Sequence, residues 1–270
     1  MAIIKGIDSK DYRIYFKGEK EDIDKIIKGI ENAKFLSKKG RGGIKVFFLN
    51  QRKMACRQYL HGGILRGITR DRFISAKRAI NEMEILTYLR ASNISAVEPL
   101  CVIEKKISLF KKLYLITFFE DDTENLLEYF TGIDRKKRLR MAKKVAELFW
   151  SLEMAHIYHP DLHLDNILVK HSINEKDKLP PLILLDFDGA RRKIISKKDM
   201  ENMFWRLNRY TEKMEKKDYI KIDIKEKILF LKTYERLSGR NIIDNMRKKY
   251  KLRQFFSRTG WIIESFFYKN

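Results

Sequence analysis

The chain has 270 residues, 44% of them hydrophobic, and carries 58 Lys+Arg against 36 Asp+Glu, a formal net charge of +22. That length and apolar content can build a substantial core as one domain or two lobes, and without a run of 18 apolar residues a membrane span is not expected. The start, MAIIKGIDSKDYRIYF, lacks a basic region followed by a long apolar stretch, so no export signal is expected, and Cys56 and Cys101 form neither a zinc spacing nor a disulfide scaffold.

Residues 33–60 read as short strands: AKFLSK and IKVFFL flank a Gly-rich turn, and MACRQYL follows. The turn, Lys39-Gly40-Arg41-Gly42-Gly43, links strand to strand and does not open a helix. It also lacks the Gly-Lys-Ser/Thr ending of a P-loop. The spacing of Phe73, Ile74, Ala76, Ile80, Met83, Leu86 and Leu89 predicts an amphipathic helix over 71–90. VIEKKI and LYLITFF then form an antiparallel pair joined through 108–112, and the polar run 120–123 closes a sheet-rich lobe.

A short helix is expected over 125–130 and a long one over 135–156, whose inward stripe is Leu139, Ala142, Val145, Ala146, Phe149, Trp150 and Leu152. The loop His159-Pro160-Asp161-Leu162-His163-Leu164-Asp165-Asn166 leads into short strands at 167–169 and 182–185, and the remainder reads as mostly helical. The expected architecture is α+β and bilobal. Residues 1–121 form an N-terminal antiparallel sheet lobe with one helix, and residues 122–270 form a C-terminal, mainly helical lobe.

The order of three motifs suggests phosphoryl transfer, which needs a positioned hydroxyl, cations over phosphate oxygens and carboxylates for magnesium. A glycine loop comes first, with Gly40, Gly42 and Gly43 letting backbone N–H groups approach phosphates. Asp161 then suits a base for an attacking hydroxyl, and Asn166, five residues later, offers an amide oxygen to a metal. Asp186, after an apolar strand in Leu185-Asp186-Phe187-Asp188, is the expected metal carboxylate. On the nucleotide side, Arg57 in Met54-Ala55-Cys56-Arg57 is the candidate phosphate cation and Glu82 its partner, with Glu84 competing. An Arg there departs from the commoner Lys, because its fork is larger and prefers bidentate geometry. His159 is expected to support the loop, and Asp165 to cap or brace it. Asp188 admits two readings, a second metal ligand or a brace paired with Arg191 or Arg192.

These stretches, with Arg57-Gln58-Tyr59-Leu60-His61-Gly62-Gly63 and Asp71-Arg72-Phe73 leading to Arg78-Ala79-Ile80-Asn81-Glu82, resemble the lipopolysaccharide kinase family, nearest its members acting on 3-deoxy-D-manno-octulosonic acid (Kdo). The resemblance covers roughly residues 36 to 192. It implies a protein-kinase-like fold, ATP and magnesium (Mg2+) as cofactors, and the 4-hydroxyl of Kdo on a lipid A precursor as acceptor. Asp161 is then the base, Asn166 and Asp186 the magnesium ligands, and Arg57 with Glu82 the phosphate-orienting pair. His61 stands where relatives usually show Arg. The alternatives left open are a heptose or other small-molecule kinase of this fold, and a non-catalytic module binding anionic lipid or RNA.

A lipid-linked anionic sugar at the cytoplasmic side of an anionic inner membrane accounts for the charge through peripheral contact, with no nucleic acid and no obligate protein partner. Residues 191–270 hold 23 Lys/Arg against 10 Asp/Glu, and a second basic cluster, Arg135 to Lys144, opens the long helix. Trp261, Phe266, Phe267 and Tyr268 are candidate interfacial anchors.

Overall fold

The computed structural model describes residues 5–16, 22–37, 43–61, 71–171 and 179–248. The fold is bilobal α+β, with a sheet lobe followed by a helical lobe. By compactness the chain groups as Met1–Leu126 with Asp165–Arg191, and as Leu127–Leu164 with Arg192–Asn270.

The first unit is built on a seven-stranded antiparallel sheet. Its strands are β1 (Lys5–Ser9), β2 (Tyr12–Phe16), β3 (Lys34–Ser37), β4 (Ile44–Leu49), β5 (Arg52–Gln58), β6 (Pro99–Ile107) and β7 (Phe110–Phe118), in the order β1-β2-β6-β7-β5-β4-β3. Alternation along β5 places Met54 and Cys56 in the core with Ile26 and Ile30 of α1 (Ile23–Glu31). Arg57 faces the other way, toward α2 (Lys77–Ala91), so the helices cover opposite faces of the sheet. Gly29 is required where α1 meets β4, because a Cβ there would stand 2.3 Å from the Phe47 ring.

The hairpin β1–β2 and helix α1 were not anticipated. Both carry legible signals, the i, i+2 spacing of Tyr12, Ile14 and Phe16, which are buried in the strand, and the N-cap at Asp22, whose side chain accepts from the Lys25 N–H. The helix expected to start at 71 starts at Lys77. Phe73 is buried in a β-bridge to Lys111 while Ile74 is 82% exposed, so the two do not share a helical face. Ser75 Oγ accepts the Lys77 N–H at 3.2 Å and marks the true start.

A smaller sheet in the same unit orders β11 (Leu182–Leu184), β10 (Ile167–Lys170) and β8 (Thr123–Asn125). β11 is tied to the segment before β6 by the bonds Leu184 N–H to Ser95 O and Val97 N–H to Leu184 O, each 3.0 Å. The pairing joins the segment containing Asn166 and Asp186 to the sheet unit.

The second unit contains most of α3 (Leu126–Gly132), α4 (Arg135–Met154), the short strand β9 (Ile157–Tyr158), α5 (Lys197–Glu215) and α6 (Ile224–Ser238), with β12 (Arg191–Arg192) at the boundary. Its core joins Phe149 of α4, Phe204 of α5, and Phe230 and Tyr234 of α6 through ring centroids 4.7–5.4 Å apart. Leu139 and Trp150 of the expected stripe are only half-buried. The basic cluster on α4 is not a uniform solvated face: Arg138 pairs with the buried Glu226 of α6 at 2.7 Å.

Candidate active site

In the sheet unit, β5, α2 and the segment after β11 converge on one guanidinium. Arg57 Nη1 donates to Asp186, and Nη2 donates to Glu82 and to the Tyr59 hydroxyl, the latter at 3.3 Å. Tyr59 in turn donates to Glu82, and the Phe187 N–H donates to the other Glu82 oxygen at 3.0 Å. Glu82 is 1% exposed and Glu84 exposed, which places Glu82 as the partner of Arg57.

Burial opposes charge on Arg57, but the carboxylates of Glu82 and Asp186 overcome it and hold the guanidinium well above its ordinary pKa. Burial likewise raises Glu82 above the usual glutamate value, with Arg57 pulling in the opposite direction. Tyr59 is pushed well up by burial and by the Glu82 charge, so it remains a hydroxyl donor.

Asp186 adopts a left-handed backbone (φ 51°), a region that Asp tolerates better than most residues, and its Oδ1 accepts the Asp188 N–H at 3.4 Å. Asp188 forms a two-point ion pair with Arg78, one helical turn before Glu82. Asn81 Nδ2 donates to the Ala190 carbonyl at 3.0 Å. One face of α2, through residues 78, 81 and 82, therefore grips the Asp186–Ala190 turn. Of the two readings of Asp188, this geometry supports bracing, with Arg78 as partner in place of the exposed Arg191 and Arg192. Arg78 was assigned no role from the sequence: its partner lies 110 residues away, and no spacing rule links the two.

Asn166 ends a 3-10 turn, Leu164–Asn166, and its carbonyl accepts the Leu185 N–H at 2.9 Å, the residue before Asp186. Among the described residues no group of three or more His, Cys, Asp or Glu is arranged to hold a metal ion. An amide oxygen and a carboxylate brought together by paired strands do suit magnesium, which takes few protein oxygens and fills its shell with phosphate and water. Gly43 has φ 66°, the left-handed turn geometry that glycine favours, while Gly40 and Gly42 lie outside the described residues, as do Gly62 and Gly63. His61 stacks on Phe73 at 4.2 Å, and its Nε2 lies 2.9 Å from the Arg72 carbonyl oxygen.

In the helical unit, the loop after β9 presents Asp161. Its N–H donates to Nδ1 of the fully buried His159 at 3.2 Å, a loop-supporting contact. The Asp161 carboxylate, 53% exposed, accepts from Nε of Arg206 on α5. His163 lies flat against Tyr210, with centroids 4.2 Å apart and planes 6° apart, and the Arg206 Cζ is 6.0 Å from the same Tyr210 ring. Arg206 was missed from the sequence: it is 45 residues from Asp161, with no spacing rule to link them.

The family model described as the lipopolysaccharide kinase (Kdo/WaaP) family matches residues 28–228. A solved structure titled "WaaP in complex with acyl carrier protein" resembles this chain with a TM-score of 0.59 at 15% identity, covering 88% of this chain and 95% of that one. The search of curated proteins returned no significant match.

Proposed function

The chain belongs to the lipopolysaccharide kinase (Kdo/WaaP) family, a phosphotransferase family acting on a sugar in lipopolysaccharide biosynthesis, and on that premise we propose that it transfers the γ-phosphoryl group of ATP to the 4-hydroxyl of Kdo on a lipid A precursor. The observation that best supports the site assignment is the meeting of Arg57, Glu82 and Asp186, three residues picked from separate motifs, at one guanidinium.

In this reading Asp161 orients the acceptor hydroxyl and takes its proton as the hydroxyl oxygen bonds to phosphorus and the bond to the ADP oxygen breaks. Arg57 lays positive charge along the phosphate oxygens, and Glu82 fixes its position from below the sheet. Asn166 and Asp186 would hold magnesium, which supplies charge neutralisation at those oxygens. Gly40, Gly42 and Gly43 give the phosphates close backbone approach. Residues 1–121 are assigned to nucleotide binding and 122–270 to catalysis and the acceptor.

The membrane reading is peripheral, on the cytoplasmic face of the inner membrane. It is supported by the net charge of +22, and among the described residues no helix is long and apolar enough to cross a membrane. The aromatic anchors Trp261, Phe266, Phe267 and Tyr268 lie outside the described residues.

The test combines purified protein, magnesium, γ-labelled ATP and either Kdo-lipid A precursor or a heptosylated acceptor, with Asp161→Ala as control. Asp161-dependent label on the Kdo lipid is expected. Label only on the heptosylated acceptor would reassign the substrate, and acyl carrier protein, named with the solved relative, is added in a parallel arm to read whether it changes the rate.

A further inference from the structure

Arg206 lies within α5, whose start is fixed by a capping box between Ser196 and Asp199. One turn on, the buried Tyr210 ring carries the His163 stack, so α5 and the loop of Asp161 are held together by one aromatic stack and one ion pair, while Arg206 also lies near the Tyr210 ring of its own helix. The guanidinium has five N–H donors in a rigid fork. Only Nε meets an acceptor, Asp161; among the described residues Nη1 and Nη2 donate to no protein oxygen. Arg57 provides the contrast, since both of its Nη atoms are engaged by protein partners.

A partly exposed guanidinium with two forward donors, anchored by Nε to the carboxylate that receives the hydroxyl, is shaped to take a two-oxygen anion bidentately. We propose that Arg206 is a specificity-determining residue that binds an anionic oxygen group on the acceptor, carried beside the hydroxyl that is phosphorylated. This rests on the kinase reading above and deepens it. The acceptor unit is then a sugar acid, or a sugar next to a lipid phosphate, and not a neutral heptose alone. A carboxylate on the ring and a phosphate on the lipid offer the same chemistry to the fork, so the sources must be separated by experiment.

Acceptor kinetics of wild type, Arg206→Gln and Arg206→Lys are measured with three acceptors: the native Kdo lipid, the same lipid with its carboxylate methyl-esterified, and the lipid with its phosphates removed. With the native acceptor, Arg206→Gln is expected to raise the acceptor KM roughly 10- to 100-fold, the size of one charge-assisted hydrogen-bonded pair. Arg206→Lys, which keeps the charge and loses the fork, should recover part of that loss. Whichever acceptor lacks the group being bound should bring wild type and Arg206→Gln to the same KM, naming the carboxylate or the phosphate as the source. Thermal melting of each variant checks folding. If Arg206→Gln does not fold, the wild-type KM for native against modified acceptors and the Lys variant still decide the matter. An equal penalty with all three acceptors would overturn the anion assignment while leaving the kinase reading intact. Wild-type protein that labels none of them would instead overturn the kinase reading, and this inference with it.

Discussion

Two arginines, one in each unit, hold the acidic residues assigned to chemistry, and they do so in opposite ways. Arg57 is clamped between a glutamate with 1% of its side chain exposed and Asp186, with a tyrosine hydroxyl closing the ring. Among the described residues Arg206 pairs with a single carboxylate, that of Asp161, whose side chain is 53% exposed. A charge anchored by a buried countercharge cannot lose its partner cheaply, whereas a pair open to water is screened and individually weak. The first arrangement fixes a cation in place; the second leaves a cation with donors to offer a ligand.

Removing the two carboxylates assigned to chemistry should give the largest effect on catalysis. Asp161→Asn and Asp186→Asn are each expected to lower the rate of label transfer by about 10²-fold or more, because each removes a group assigned to the reacting oxygens or the metal. A rate near wild type in either variant would remove that residue from the mechanism.

Stability separates the two arginine sites more sharply. Glu82→Ala leaves Arg57 partly buried without its buried countercharge and should cost about 3–5 kcal/mol, seen as a lower denaturant midpoint. Arg206→Ala should cost no more than about 1 kcal/mol, as expected for a partly exposed pair. Equal losses would break the distinction between a clamped and an open guanidinium. Arg138→Ala sharpens it from a third direction. Its partner Glu226 is 4% exposed and also closes the capping box of α6, so the loss should again be about 3–5 kcal/mol, although neither residue is assigned to chemistry.

The same contrast explains what the sequence disclosed. Local order was legible: β4 lies over the expected IKVFFL, α4 starts at the expected Arg135, and the Asp161-to-Asn166 stretch and Asp186 flank the short strands β10 and β11 as their motifs implied. Glu82 was read as the partner of Arg57 with Glu84 competing, and the two are separated by burial on α2, where Glu82 is covered and Glu84 exposed. Arg78 and Arg206 left no such trace. Their partners lie 110 and 45 residues away, and an arginine on a helix in a strongly basic chain looks like surface charge until tertiary contacts are known. Helical spacing misled at Phe73 because burial there comes from a bridge to β7, a long-range pairing invisible to periodicity.

The smallest effect concerns the frame that presents Arg206. Asp199 is subject to burial, which would raise its pKa, yet hydrogen bonds from Lys193 and Ser196 prevail and hold it below the ordinary aspartate value of 3.8. A carboxyl with a depressed folded pKa stabilises the fold above its unfolded value, and that contribution is lost as pH falls through the folded value. Asp199→Asn should therefore lower the melting temperature at pH 7 by the few degrees that about 1 kcal/mol represents in a chain of this size. The gap from wild type should narrow as pH drops below 3.8. A gap that stayed constant with pH would mean that shape, not charge, holds the start of α5. In the charged case, the register that brings Arg206 to Asp161 has its own electrostatic support one helix end away.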